Sequence, residues 1–165
     1  MIDHFSKKSF LDFYFERSTF FRRIIDISEW IIIILTAIIF PNPRLDLSFF
    51  NYIIGFGLLI GGIWLHEIAH RIHSQAHFPK EKITQLVTWG VYSKIRHPIY
   101  TAYIMGYFGA FFILKSFWTL LPIFIFSLIF YDASEKEEKF LLSKFGKDYE
   151  EYMKKVPWRF IPHIF

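Results

Sequence analysis

Apolar residues along this chain come in long uninterrupted runs, not in the short alternations of half-buried strands. Ser48 to Leu65 has no charged residue across 18 positions, and Ile99 to Tyr131 carries one charge, Lys115, in 33. At about 1.5 Å per residue an 18-residue helix covers roughly 27 Å, close to the hydrocarbon thickness of a bilayer. The longer run exceeds one span. Lys115-Ser116 divides it into Ile99–Leu114 and Phe117–Tyr131, which predicts a tight helical hairpin with short arms. A fourth run, Ile24 to Phe40, ends at Pro41-Asn42-Pro43. It carries Asp26 and Glu29 near its start, one turn apart on one face and expected at the interface level. The pattern predicts an all-α fold, a polytopic membrane bundle of about four spans ending in a helical hairpin. Gly57 and Gly61 form a GxxxG step, which predicts close helix packing at that point.

Composition narrows the class. The 165 residues include 22 Phe, 9 Tyr and 5 Trp, too many aromatics for a disordered chain and enough for one compact bundle. The absence of cysteine removes disulfides, thiolate metal sites and thiol nucleophiles. A net charge of +4 raises the question of nucleic acid, and the placement of the charges answers it. Lys and Arg number five in residues 1–23, one in 41–47, five in 66–98, one at the hairpin tip and seven in 132–165. A nucleic-acid binder has no reason for that alternation. The positive-inside rule puts both termini and the 66–98 loop in the cytoplasm, with a multi-pass protein integral to a membrane, the plasma or inner membrane if the cell is prokaryotic. Residues 1–23 lack the apolar core of a signal peptide and are interrupted by Asp12 and Glu16. Their Lys7, Lys8, Phe10, Phe13, Tyr14, Phe20 and Phe21 suit an amphipathic segment lying on the inner leaflet.

Two motifs carry chemistry. His66-Glu67-Ile68-Ala69-His70 fits HExxH, which on a helix places two histidines one turn apart for zinc with the glutamate as general base. His73 and His77 extend the stripe. The pattern has only three fixed positions, and no acidic residue in the apolar spans offers a third ligand. The second constellation is longer. Arg96 and His97 precede Pro98, which suits the first turn of the third span. A helix N-terminus flanked by these donors would take an anionic group. Glu137 and Glu138, past the fourth span on the same side, could receive an ammonium or ribose hydroxyls. Trp89, Tyr92, Tyr100, Tyr149 and Tyr152 could pack on a purine or around a sulfonium. A ligand with adenine, ribose, ammonium, carboxylate and a positive sulfur matches the set. The bland alternative is an interfacial belt of aromatics and charges.

The segment Gly90-Val91-Tyr92…Arg96-His97-Pro98-Ile99-Tyr100 is followed one hairpin later by Glu137-Glu138…Phe145-Gly146…Tyr149…Tyr152 and by Arg159-Phe160-Ile161-Pro162. Over residues 84–162 this resembles the isoprenylcysteine carboxyl methyltransferases and their relatives, the phospholipid methyltransferases. The resemblance implies a membrane-embedded methyltransferase with S-adenosylmethionine as cofactor, held in a cytoplasmic pocket folded by the C-terminal half. It implies a lipid or lipidated acceptor entering from the bilayer, and no nucleic acid or metal. By position it assigns cofactor contacts to His77, Thr84, Gln85, Leu86, Val87, Tyr92, His97, Pro98, Ile99, Tyr100 and Glu137. It divides the chain into an interfacial segment (1–23), membrane helices with a cytoplasmic loop (24–83) and a methyltransferase core with its tail (84–165).

One departure bears on the acceptor. Where the isoprenylcysteine enzymes carry an arginine for the substrate carboxylate, this chain has Ala133 preceded by Asp132, and no Arg or Lys lies between Phe117 and Glu135. Either Arg96 or Lys136 substitutes, or the acceptor is an amine such as phosphatidylethanolamine. Asp132 and Ala133 are therefore the expected substrate positions. Arg96, His97 and Glu138 are the expected catalytic ones, with Glu138, Asp132 or His97 as base for an amine. Two rival readings stand beside this one: a membrane zinc hydrolase built on His66, Glu67 and His70, and a non-catalytic membrane scaffold.

Overall fold

The computed structural model describes residues 19–45, 49–75 and 83–164. Most of the expected interfacial segment 1–23, and His77, lie outside the described residues. The described chain is helical: α1 Thr19–Ile39, α2 Phe49–Ile72, α3 Pro98–Leu114, α4 Leu120–Phe145 and α5 Lys147–Lys155. Short 3-10 turns occupy Gly90–Ser93 and Phe117–Thr119. Among the described residues the one β-bridge joins Arg44 to Ser116.

Two stretches, Phe49–Ile72 and the continuous Phe117–Phe145, are long and apolar enough to cross a membrane, while α3 is apolar but shorter. Their outer faces expose Phe49, Ile53, Phe56, Ile60, Ile63 and Trp64 on α2, and Leu121, Phe124, Ile125 and Leu128 on α4. Patches of that size are unsuited to water and match hydrocarbon.

Glycine sets the tightest helix contact. A Cβ on Gly62 would lie 2.8 Å from the Ala102 carbonyl oxygen, and one on Gly109 would lie 2.8 Å from the Gly55 carbonyl oxygen. The α2 and α3 backbones therefore touch through Gly55, Gly62 and Gly109. The expected Gly57–Gly61 step is not this contact. Nothing lies within 4 Å of a Cβ at Gly57, and Gly61 meets only the flexible end of Met105. The apolar sequence offers several glycine spacings, and only the rotation of α2 about its axis selects among them.

A cluster of Ile33, Tyr107, Phe111, Ile123, Phe126 and Phe130 joins α1, α3 and α4. The α1 carboxylates anchor against α3 beside this cluster. Glu29 is buried and accepts from Tyr107 Oη, and Asp26 accepts from Tyr103 Oη at 3.1 Å. Buried carboxylates need such donors, and α3 supplies one per turn.

The hairpin turn occurs where Lys115-Ser116 predicts it. Lys115 is left-handed (φ 59°), and its N–H donates to the Phe111 carbonyl at 2.9 Å. The loop after α1 braces this tip. Leu45 N–H donates to the Lys115 carbonyl at 2.8 Å, and Ser116 Oγ donates to the Phe40 carbonyl at 2.7 Å. At the opposite end α4 continues past Tyr131 to Phe145, so Glu137 and Glu138 ride on the same helix as the second arm. Gly146 (φ 52°) turns the chain into α5. There Tyr149, Tyr152 and Val156 form a small core with Leu86 packed against it. Tyr152 Oη donates to the Tyr92 carbonyl at 2.7 Å, tying α5 to the 3-10 turn.

Candidate functional site

The site forms where the 90–98 segment meets the C-terminal part of α4 and the C-terminal tail. Gly90 has φ 65°, a conformation that favours glycine, and a Cβ there would lie 2.4 Å from Ile72 Cδ1. That contact seats the 3-10 turn on the end of α2. Pro98 then opens α3 at its first position, where a missing N–H costs nothing. His97 caps the helix and points at α4.

The C-terminal tail closes over this segment. Arg96 N–H donates to the Trp158 carbonyl at 3.0 Å, and His97 N–H donates to the Arg159 carbonyl at 2.9 Å. Thr101 Oγ1 lies 3.0 Å from the Phe160 carbonyl, and Arg96 Nη1 donates to the Val156 carbonyl at 2.8 Å. Residues about 60 positions apart are thus held in register by main-chain acceptors.

Glu138 is the hub. Its carboxylate is 9% exposed and accepts from Arg96 Nε at 2.8 Å, from His97 Nε2 at 3.0 Å and from Arg159 Nη2 at 2.9 Å. Arg159 also reaches Glu135 at 3.4 Å and lies over the Tyr131 ring at 5.2 Å. Burial opposes the Arg159 charge, but the Glu138 carboxylate beside it holds its pKa above the ordinary arginine value. With both oxygens engaged, Glu138 is arranged to fix its neighbours.

Glu137, one residue earlier, has different partners. Its Oε2 accepts from Tyr100 Oη at 3.1 Å and lies 3.7 Å from His97 Nδ1. At 29% exposure its side chain is more accessible than that of Glu138. Tyr100 stacks between His97 at 5.6 Å and Phe130 at 5.2 Å. Tyr92 is buried, and burial pushes its phenol pKa up, so it stays neutral. The His73 ring lies 5.7 Å from the Tyr92 ring, and its Nδ1 is buried without a hydrogen-bond partner among the described residues. These side chains together offer a carboxylate, phenols and a nitrogen without a partner among the described residues, a set of groups suited to a polar ligand with hydroxyl and ammonium groups.

Of the remaining expected cofactor positions, Val87 packs with Ala69 and Tyr92, and Ile99 rests on that cluster. Pro98 is buried, and Leu86 packs on the α5 core. Thr84 and Gln85 are exposed. Thr84 is tied to Gln75, whose amide oxygen accepts from Thr84 N–H at 2.9 Å. Of the expected substrate positions, Ala133 is buried and Asp132 is 52% exposed, paired with Lys136 at 3.3 Å. That pairing directs Lys136 to Asp132. Sequence reasoning missed Arg159, Glu135, Tyr131 and Gln75 as parts of this assembly. Arg159 stood in the motif without a role, and it could have been sought because residues 118–134 hold no Arg or Lys.

Beside the charged assembly lies an apolar groove of about 700 Å³ between α3 and α4, with Leu58 of α2 on its wall. Phe108, Phe112 and Phe124 line its body, and Tyr131, Phe160 and Ile161 its end next to Arg159.

The HExxH stripe divides. His66 and His70 approach through their Nε2 atoms at 3.1 Å, and His66 meets the Tyr103 ring edge-on at 5.5 Å. Glu67 is 59% exposed and lies 3.8 Å from Arg71. Among the described residues no third acidic, histidine or cysteine side chain joins His66 and His70 in a metal-holding group.

A model of the phospholipid methyltransferase family matches residues 50–148. The protein-S-isoprenylcysteine O-methyltransferase of Schizosaccharomyces pombe is 40% identical over 76 residues, covering 44% of this chain and 31% of that protein. The enzyme of the same name from Saccharomyces cerevisiae is 34% identical over 138 residues, 74% of this chain and 56% of that protein. A Delta(14)-sterol reductase of Methylotuvimicrobium alcaliphilum is 32% identical over 90 residues, 48% of this chain and 19% of that protein. The chain thus spans about a third to just over half the length of the two methyltransferases. The similarity read from the motifs begins at residue 84, whereas the family match takes in α2 as well. Since that match runs from α2 through the Arg96-His97-Pro98 segment and both hairpin arms to the start of α5, the chain belongs to the phospholipid methyltransferase family.

Proposed function

We propose that this protein is a membrane methyltransferase that uses S-adenosylmethionine and methylates a lipid-like acceptor at the cytoplasmic face of the bilayer. The observation that carries the reading is the meeting of His97, Tyr100 and Glu137 beside an apolar groove. A polar recess for a nucleoside and a hydrocarbon-lined channel for an acceptor need that adjacency. Family membership supports the reading. The orphaned Nδ1 of His73 and the accessible Glu137 carboxylate fit a ligand rich in hydroxyl and ammonium donors.

S-adenosylmethionine supplies an electrophilic methyl group on sulfur, and no metal is needed for its displacement. Glu137, held by Tyr100, binds the polar part of the cofactor, with Tyr92, His97, Pro98, Ile99 and the 84–87 segment forming the walls. Glu138, Arg96 and Arg159 keep His97 in place and lock the tail against the segment, so the recess is preorganised. A carboxylate acceptor, already ionised at neutral pH, requires no base. For an amine acceptor His97 or Asp132 would take the proton. Arg159, at the groove's end, stands nearer an acceptor in that groove than Lys136, which Asp132 engages. The same reading gives about four spans, with both termini in the cytoplasm and a core over 84–165.

The test is transfer of labelled methyl groups from S-adenosylmethionine into total membrane lipids and prenylcysteine analogues, with mass identification of the product. Labelled lipid formed by wild type and lost in Glu137→Ala supports the reading. No product and no S-adenosylhomocysteine binding by the intact protein would overturn it.

A further inference from the structure

The histidine stripe that begins with HExxH is only partly accounted for by packing. His66 and His70 turn toward each other and toward Tyr103, inside the α1–α2–α3 bundle. His73 turns the other way. It follows the last residue of α2, where its backbone N–H continues the helix by donating to the Ala69 carbonyl at 2.9 Å. Its ring reaches the 3-10 turn that leads into Arg96-His97-Pro98, stopping 5.7 Å from Tyr92. The charge of Glu137, on α4, acts on the same ring. Three separate elements therefore converge on His73: the end of α2, the turn before α3 and the cytoplasmic part of α4.

At this convergence Nδ1 of His73 is shielded from solvent and has no hydrogen-bond partner among the described residues. Native proteins satisfy nearly all such atoms, so a specific orphan calls for an explanation. A merely structural ring here would be better served by phenylalanine, because an apolar ring leaves nothing unsatisfied. The bundle supplies apolar rings freely, with 22 phenylalanines in the chain. Burial also pushes the His73 pKa below its ordinary value, which keeps the imidazole neutral near pH 7. With the proton on Nε2, Nδ1 accepts a hydrogen bond. A neutral acceptor suits a hydroxyl, while the adjacent carboxylate of Glu137 suits a cationic group.

We propose that His73 is a cofactor-binding residue whose Nδ1 accepts a hydrogen bond from a ribose hydroxyl of the methyl donor. This rests on the reading of the recess as an S-adenosylmethionine site. Because His73 binds and does not react, its loss weakens both donor and demethylated product, which share the ribose.

The test is titration of the full-length detergent-solubilised protein with S-adenosylhomocysteine, read by calorimetry and by ligand-induced thermal shift. His73→Asn keeps an acceptor atom at the Nδ1 position, whereas His73→Phe keeps the ring and removes the acceptor. His73→Phe should bind about tenfold more weakly, with unchanged or raised melting temperature in the absence of ligand. His73→Asn should stay within about threefold of wild type. The 2′-deoxy or the 3′-deoxy analogue should bind wild type more weakly than S-adenosylhomocysteine, and that difference should vanish in His73→Phe. Wild-type affinity in His73→Phe overturns the role, and a deoxy penalty retained in that variant overturns the ribose assignment. Equal loss in both variants, with a lowered unliganded melting temperature, makes His73 structural and overturns the proposal too. Failure of wild type to bind S-adenosylhomocysteine sinks the parent reading instead, so the two failures are distinguishable.

Discussion

Replacing Glu138 with glutamine tests the charged assembly most directly. Glutamine keeps the shape and one acceptor oxygen but removes the negative charge. Arg96, with a side chain 8% exposed, and the less buried Arg159 would then face each other across a neutral amide. Removing one partner of a buried ion pair costs about 3–5 kcal/mol, because the surviving charge stays desolvated. Arg159 retains some contact with water, and Arg96 keeps its bond to the Val156 carbonyl, so the lower half of that range, about 3 kcal/mol, is expected. The loss should concentrate in the tail. Arg96 and His97 hold Trp158 and Arg159 through main-chain bonds, and those bonds depend on the segment staying in place. Limited proteolysis should therefore cut Glu138→Gln near residues 156–160 while wild type resists, and denaturant unfolding in detergent should show the stability loss. A double-mutant cycle with Arg159→Gln should give a coupling of at least about 1 kcal/mol, as expected for groups in one network. Additive effects, or a loss below about 1 kcal/mol with an intact tail, would refute the idea that Glu138 organises the site.

Other perturbations separate the remaining parts. Gly62→Val, whose Cβ would press on the Ala102 carbonyl, should lower detergent stability by about 1–3 kcal/mol, whereas Gly57→Ala, with open space around it, should be neutral or slightly stabilising in the same melt. Filling the α3–α4 groove with Ser127→Phe should raise the acceptor KM severalfold and leave S-adenosylhomocysteine affinity unchanged; a change confined to the latter would show that the groove serves another purpose. The lowered pKa of His73 means the unfolded state binds the proton more readily than the native one. Its contribution to stability is present above the ordinary 6.5 and is lost as pH falls from there through the folded value. Melting temperatures between pH 7 and 5 should fall less steeply in His73→Phe than in wild type.

Family and helix content were legible in the sequence because each is written locally. The charge-free runs mark apolar helices whatever their neighbours are, and Lys115-Ser116 marks the turn because only a break separates two apolar arms. Pro98 marks the start of α3 because proline suits a first helical turn. The motif residues His97, Tyr100 and Glu137 lie together. The roles of neighbouring acids were not legible. Glu137 and Glu138 are adjacent in sequence and chemically alike, yet one stays partly exposed beside Tyr100 and the other is enclosed by Arg96, His97 and Arg159.

The sequence by itself determined which segments are apolar helices, where the hairpin turns and which residue types the site contains. Those follow from hydropathy, proline and spacing, each a property of a few consecutive residues. Only the tertiary structure decided which glycines meet, which way each histidine of the stripe turns and which cation answers Glu138. Each of those depends on the rotation of one helix against another and on a tail that returns from some 20 residues beyond α4's acids, as the 21-residue separation of Glu138 and Arg159 shows. Rotation and return are settled by the packed whole, since a helix of nearly uniform hydropathy carries no local mark of the face it will bury.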